Sequence, residues 1–527
     1  MSDEQLELAP IVRACRASLS KQVSGHLWIV AFPVLAGAEA QAKQLISLGA
    51  ERVLAVGVSA GVRSPELLDE GEDGIERLCL NMCLDGDEMD GIRGAEALLD
   101  QLSDEHLEVI NRFDPERRAL AVRVIFSSSD HFAGRPVFGA RNAEWMALED
   151  KLIIDALWDE VGVKRSPSFN VELSLSALIE ASERLDRGDG VVVAGDNRSG
   201  FHGGATRTRW ARTPKELNKI AKELGRECDQ GRVMPFLKGV PCSIHGWVFE
   251  EHEISLRPCE MLVSQADNTR FEYHGAAVHW MPNKEVHQQM RSAAERVARH
   301  LRERYDYRGV FTIDGVADDE RFYPTELNPR FGGAIARMTS SMPDLPLLMM
   351  HYATIEGGLK DIDPVALRSL ILEACAERSS IRPMWRVLQP CPAQREAYFI
   401  QEGGAWRVCS EETEGASVVR WGPATQGSLL LAQVDQRAFE QGASTLVGCL
   451  ELMKVAQAHL VPASREEQLE EQLEGQPEDL PEDLPEDLPE DLPEDLLEDQ
   501  PEESEELDDQ EEEGSEERRK PKVITFS

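Results

Sequence analysis

The chain has 527 residues, which at roughly 150 residues per domain leaves room for about three folded units once its acidic end is set aside. Its 96 acidic residues against 56 basic ones give a formal net charge of -40, and that sign disfavours nucleic acid or an anionic membrane surface as the main partner, since both require basic patches. Hydrophobic residues make up 42%, enough for real cores, yet no stretch approaches the roughly 18 uncharged residues of a membrane span.

The opening MSDEQLELAP carries acids where a secretory signal would carry a basic and then an apolar segment, so a cytoplasmic protein is expected. His26 to Phe32 and Arg52 to Val58 are short apolar runs flanking a helical pattern from Ala36 to Leu48. A strand-helix-strand unit of this kind favours a parallel sheet. Residues 92 to 112 read as an acidic helical region, and Ala119 to Phe126 adds a strand. From Trp145 to Trp158 the apolar residues recur at helical spacing, which predicts one amphipathic helix.

A second α/β segment follows. It comprises the strand VVVAGD (191 to 196), a glycine-rich loop, the helix ELNKIAKEL and an extended stretch from Arg232 to Phe249. Val286, Met290, Ala293, Ala294, Val297 and Leu301 mark another helix, LPLLMMHYATI a later one, and residues 365 to 463 a smaller mixed appendage. Ten cysteines lie scattered without a CxxC pair or zinc-ligand spacing and read as reduced, mostly buried thiols. From about Arg465 the composition changes: five consecutive PEDL units start at Pro477, and residues 465 to 527 hold 28 acids and five bases. Proline at every fourth position forbids a continuous helix and the like charge opposes compaction, so a disordered tail is expected. Such a tail either merely solvates the protein or docks a basic partner.

The chemistry is concentrated in residues 307 to 334, YRGVFTIDGVADDERFYPTELNPRFGGA, which predict two short strands joined by a polar turn at 317 to 320. The period of two places Phe311 and Ile313 on one face of the first strand and Asp314 on the other; Glu326 and Asn328 share a face of the second. If the strands pair, Asp314, Glu326 and Asn328 become neighbours, an all-oxygen set suited to Mg2+ or Mn2+ held jointly by protein and phosphate.

With that acid-then-ExN pattern the chain resembles the ATP-grasp ligases, and ELNPRFGG is similar to the ExNxR form found in ligases of amino acids and peptides. LEDKLIIDALWDEVGV (148 to 163) resembles the family's DK helix, whose lysine, here Lys151, would touch the phosphates of ATP. SGFHGG supplies Ser199, Gly200, His202, Gly203 and Gly204 where the family has its mobile glycine loop, and MPFLKG resembles the strand between the grasp lobes, with Phe236 and Leu237 lining the adenine pocket. Arg330 is the candidate for holding the acyl phosphate or the substrate carboxylate; Arg257, a further catalytic candidate, and Glu260 either face the site as well or form a strand-end ion pair. The chain departs from the family at Ala194, where a second lysine usually stands, and Arg198, Arg207 or Arg209 would have to supply that charge.

The resemblance implies an α/β protein with an ATP-grasp fold: an N-terminal Rossmann-like α/β domain over 1–135, an ATP-grasp domain over 136–350, a mixed C-terminal subdomain over 351–463 and the acidic tail over 464–527. It implies ATP and Mg2+ as cofactors and a small-molecule carboxylate and amine as substrates, joined through an acyl phosphate. A homodimer is compatible with this reading. The competing readings are a carboxylase or kinase-like member of the same fold and a degenerate nucleotide-binding scaffold with an acidic docking tail.

Overall fold

The computed structural model describes residues 10–63, 74–82, 88–124, 127, 129–198, 203, 205–265, 269–391 and 393–462, with the backbone alone for 88–92. The acidic tail lies outside the described residues. Everything below belongs to the unit Met1–Arg465.

The first apolar runs form the parallel strands Leu27–Val34 and Arg52–Ser59 around the helix Leu35–Ser47. Ile75–Cys79 and Leu120–Arg123 complete a four-stranded parallel sheet in which Leu27–Val34 and Arg52–Ser59 are central. The central strands are buried on both faces, which is why they read as unbroken apolar runs rather than alternating ones. The acidic region resolves into two helices, Glu88–Asp100 and Asp104–Phe113. The second starts where the Ser103 hydroxyl accepts from the His106 N–H at 3.4 Å.

The expected helix over 145 to 158 is instead two short helices, Ala143–Ala147 and Ile154–Glu160, separated by a turn. Its spacing is helical, but local polar chemistry interrupts it. The Asp150 carboxylate accepts from the Leu152 N–H at 2.9 Å, and Glu149 is drawn into buried ion pairs. A short acid bonding its own neighbouring backbone competes with the helical ladder. Lys151 therefore sits in the turn.

Two antiparallel sheets follow. The smaller runs Phe169–Glu172, Gln230–Pro235, Val191–Gly195, Thr208–Ala211, covered on one face by the helices Leu175–Leu185 and Pro214–Leu224 through Leu178, Leu217, Ile220 and Val233. The larger has 11 strands and starts at the edge with the hairpin Phe322–Asn328 and Gly309–Ala317, then Val240–Val248. Its underside rests on the helix Lys284–Tyr305, where Phe311, Ile313, Ile244 and Leu327 meet Val286, Met290, Val297 and Leu301. Each such side chain, fully withdrawn from water, contributes about 1.5–3 kcal/mol.

The single extended stretch expected over 232 to 249 is divided between the two sheets. It leaves the smaller one at Pro235 and joins the larger one at Val240. The break falls at Gly239, whose φ is +148° and whose Cβ, were there one, would lie 2.3 Å from the Ala317 carbonyl oxygen. Only glycine tolerates both. Beyond Phe271–Ala277 the larger sheet continues through Ile381–Val387 into the C-terminal strands, so the late mixed segment extends the same sheet, with the helix Leu446–Leu460 packed on it.

Candidate functional site

The hairpin forms as the alternation predicts. Asp318 closes its turn by accepting from the N–H groups of Glu320 at 2.8 Å and Arg321 at 2.6 Å. Thr312 stands opposite Asn328 and Asp314 opposite Glu326. The register then slips by one, because Gly315 pairs with Pro324. Thr325 is the extra residue of this bulge, which accommodates a proline inside the strand and frees the Thr325 carbonyl from the ladder.

Cross-strand partners share a face, so Val240–Val248 adds to the same surface. Ser243 is opposite Asp314, and His245 is opposite Thr312. His245 Nδ1 lies 3.0 Å from the Thr312 hydroxyl and Nε2 lies 3.3 Å from the Ser243 hydroxyl. Burial pushes the His245 imidazole down to about 3, so it is neutral in ordinary buffers. Neither Ser243 nor His245 was singled out from the sequence, although two polar residues two apart within SIHGW carry the period of a polar strand face.

The carboxylates are tightly held. Asn328 Nδ2 donates to Asp314 Oδ2 at 2.8 Å, and Lys151 Nζ lies 3.1 Å from Glu326 Oε2. Burial pushes the Asp314 carboxyl up to about 7, and the Glu326 charge adds to the rise against the opposing pull of Arg330 and Lys151. Arg330 is fixed from two sides: Nη2 donates to Asn328 Oδ1 at 2.9 Å and Nε to Glu149 Oε2 at 3.1 Å. Glu149 also pairs with Arg141. Burial alone would raise the Glu149 carboxyl, but the two guanidinium groups outweigh it and hold it below the usual range. Arg141 and Glu149 thus orient Arg330, a function invisible in the sequence because 181 residues separate Arg330 from Glu149. At Gly332 a Cβ would meet the Thr312 hydroxyl at 2.6 Å, so the chain passes this close to the site because a glycine stands there.

The missing lysine has a structural counterpart. Arg198 is paired with Asp229, Arg207 with Glu227 and Arg209 with Glu223, so each of the three arginines considered from the sequence already has an acidic partner. Ala194 is paired in register with Arg232 on the neighbouring strand. Val193 and Val233 are in the helix-covered core, so Ala194 and Arg232 point to the opposite face. Arg232, only 1% exposed, donates to Asp155 Oδ1 at 2.6 Å and to the bulge carbonyl of Thr325 at 3.1 Å. It bridges the small sheet, the helix after Lys151 and the hairpin.

Other expected residues lie elsewhere. The Arg257 guanidinium donates to the carbonyls of Val278 at 2.8 Å and His279 at 3.3 Å and has no hydrogen bond to the hairpin among the described residues. Glu260 accepts from the Thr445 N–H at 2.8 Å and the Thr445 hydroxyl at 2.9 Å, holding the start of the C-terminal helix rather than facing the carboxylates. Phe236 stacks on Trp210 with centroids 4.3 Å apart, and its N–H donates to the Gly190 carbonyl at 3.0 Å; Leu237 follows it in the connection between the sheets. Ser199, Gly200, His202 and Gly204 lie outside the described residues. Gly203 is within them, its carbonyl accepting from the Thr206 N–H at 3.1 Å.

The residues fit a divalent cation through their donor chemistry. Two carboxylates directly opposed, one pushed up to about 7, form a site whose repulsion a cation relieves. No group of three or more His, Cys, Asp or Glu side chains able to hold a metal occurs among the described residues; here the third donor is an amide oxygen. A cavity of about 470 Å³ lined by Lys164, Arg296 and Tyr323 includes none of these residues.

Two antiparallel sheets are joined at 236–239, with the carboxylate hairpin on the edge of the larger one. No family model matches the chain, and no curated protein matches it. Among solved structures, it is similar to the biotin carboxylase of Campylobacter jejuni at 12% identity and TM-score 0.49, over 79% of this chain and 89% of that one. It is also similar to N5-carboxyaminoimidazole ribonucleotide synthetase of Thermus thermophilus, at 14% identity and TM-score 0.45 over 83% and 99% of the two chains. A third likeness is to phosphoribosylamine–glycine ligase of Thermotoga maritima, at 15% identity and TM-score 0.46 over 81% and 96%. No helix among the described residues is long and apolar enough to cross a membrane.

Proposed function

We propose that the protein is an ATP- and Mg2+-dependent ligase that joins a carboxylate to an amine, with amino acids or short peptides as substrates. The observation that supports this most is the convergence of Asp314, Glu326 and Asn328 on one sheet face, with Lys151 against Glu326 and Arg330 against Asn328. Bound Mg2+ supplies positive charge to the phosphate oxygens, and Asp314, Glu326 and Asn328 would hold it.

The substrate carboxylate attacks the γ-phosphorus of ATP, the bond from that phosphorus to its bridging oxygen breaks, and ADP leaves. The amine nitrogen then attacks the acyl carbon, phosphate departs and the nitrogen loses a proton to solvent. Neither step requires a nucleophilic side chain. The protein contributes position and charge: Lys151 and Arg232 offset phosphate charge, and Arg330, pinned by Glu149, stabilises the oxyanion that develops as the amine attacks. Arg232 serves here in place of the lysine absent at 194.

An ADP-release screen with amino acids and short peptides, singly and in pairs, tests this reading, with Glu326→Ala as the blank. Release that depends on an amine supports the ligase; amine-independent release supports a carboxylase or kinase-like reaction. No release with any pair, together with unaltered nucleotide binding, supports the degenerate scaffold.

A further inference from the structure

The cavity of about 470 Å³ lined by Lys164, Arg296 and Tyr323 takes no part in the chemistry described so far, yet it has the size of a small-molecule site. Three segments wall it: residues 162–165 just after the helix Ile154–Glu160, positions between 288 and 296 of the helix Lys284–Tyr305, and residues 320–323 at the turn of the carboxylate hairpin. The long helix ties down both of the others. Arg296 Nη1 donates to the Gly162 carbonyl at 2.9 Å. Gln289 clamps the hairpin turn by two main-chain groups, donating to the Glu320 carbonyl at 2.8 Å and accepting from the Phe322 N–H at 3.2 Å. The walls are thus fixed to one another by specific bonds.

The charge on these walls is one-sided. Lys164, Arg165, Arg296 and Arg321 all line the cavity, against the carboxylate of Glu320. Arg165 is matched by Asp159 at 2.8 Å and Asp155 at 3.5 Å. Lys164, Arg296 and Arg321 have no ion pair with a described residue. Set against Glu320, these three leave two positive charges around one space, in a protein whose net charge is -40. Like charges held together repel, and a bound anion relieves the repulsion. Val163, Ala293 and Phe322 add apolar surface, so the matching ligand carries carbon as well as charge.

Through Arg165 the cavity also reaches the residues assigned to phosphate. Asp155 faces Arg165 with Oδ2 and accepts from Arg232 on Oδ1 at 2.6 Å. An anion that draws Arg165 away leaves the Asp155 charge more fully to Arg232, and so withholds Arg232 from the nucleotide. We propose that the cavity is an inhibitory effector site for a small organic dianion, a carboxylate or a phosphate ester, which weakens nucleotide binding through Arg165, Asp155 and Arg232. The anion site rests on the cavity alone; the inhibition rests on the role given to Arg232 in the proposed ligase.

Succinate and glycerol 3-phosphate are both dianions and separate the two chemistries. Calorimetry of the full chain with saturating Mg2+ and ADP measures the binding of each to the wild type, Lys164→Met, Arg321→Gln and Glu320→Gln. At least one anion should bind the wild type, about threefold or more weakly in Lys164→Met and Arg321→Gln and about threefold more tightly in Glu320→Gln. A gain of affinity is not something a folding defect produces. Stronger binding of succinate identifies a carboxylate effector, and stronger binding of glycerol 3-phosphate a phosphate ester. No binding of either anion, or affinities unchanged in all three variants, overturns the site. The affinity for ADP is then measured with and without saturating anion. It should fall about fivefold or more in the wild type, with the anion's own affinity falling by the same factor when ADP is added, and stay constant in Asp155→Asn, which still binds the anion. An ADP affinity indifferent to the anion overturns the inhibition, and so does a fall that persists undiminished in Lys164→Met, which marks competition at the nucleotide phosphates. Anion binding as expected in a protein without affinity for ADP would leave the cavity standing and remove the ligase reading.

Discussion

Asp314→Asn is predicted to make the protein more stable in the absence of divalent cations while abolishing its activity. The Asp314 carboxyl is moved from 3.8 to about 7 by burial and by facing Glu326. The folded state therefore holds this proton more tightly than the unfolded state. Its contribution to stability is greatest below about pH 4, falls as pH rises towards 7, and is flat above. At 1.36 kcal/mol per pH unit the full penalty has a ceiling of ~4 kcal/mol, and the part lost between pH 5 and 8 is about 2–3 kcal/mol. Asparagine retains the shape and removes the charge. Glu96 is raised to about 7 as well, so wild type and variant share that slope and only their difference reports Asp314. Urea denaturation followed by tryptophan fluorescence at pH 5 and 8, in EDTA and in Mg2+ with ADP, measures it. The variant should exceed the wild type by about 2 kcal/mol at pH 8 in EDTA, by less at pH 5, and the gap should close or reverse when Mg2+ and ADP are present. A variant no more stable than wild type at pH 8 in EDTA would refute the reasoning.

Lys151→Met leaves Glu326 without its partner at 3.1 Å, and ADP release should fall by a factor of 100 or so while the fold, read by circular dichroism, persists. Arg232→Met removes the donor to Asp155 Oδ1, which keeps Ser168 and Arg165 as partners at Oδ2, and the donor to the Thr325 carbonyl, so stability should drop by about 1–3 kcal/mol and the KM for ATP should rise about tenfold, with Arg232→Lys recovering part of both. Gly239→Ala places a Cβ 2.3 Å from the Ala317 oxygen at positive φ and should cost about 2–4 kcal/mol in a denaturation curve. Removal of residues 466–527 should leave turnover within twofold of the full chain; a large loss would give the acidic tail a part in the reaction.

The carboxylate hairpin was legible because its signal is local. A two-residue period, a polar turn and an apolar face that must be buried fix which side chains share a surface, and Asp314, Glu326 and Asn328 follow from that. The parallel sheet was legible for a similar reason, since strands covered on both faces appear as unbroken apolar runs. What escaped depends on contacts between distant segments or on competition at one residue. Arg141 and Glu149 matter only because the fold carries Arg330 to them. Arg232 takes on its role through its register opposite Ala194 and through a bulge that exposes the Thr325 carbonyl, neither of which leaves a pattern in the chain. The helix expected over 145 to 158 has the right spacing, but Asp150 bonds its own backbone and breaks it. Glu260 looks like a site acid by proximity to Arg257, yet it holds the start of a helix nearly two hundred residues away.

The central claim is that Asp314, Glu326 and Asn328 hold a divalent cation together with a nucleotide. Electron paramagnetic resonance of Mn2+ titrated into the protein with and without ADP addresses it most directly. One bound Mn2+ that requires ADP in the wild type, and is lost in Glu326→Ala and Asp314→Asn, is the predicted result. Mn2+ and ADP bound as tightly by Glu326→Ala as by the wild type would contradict it.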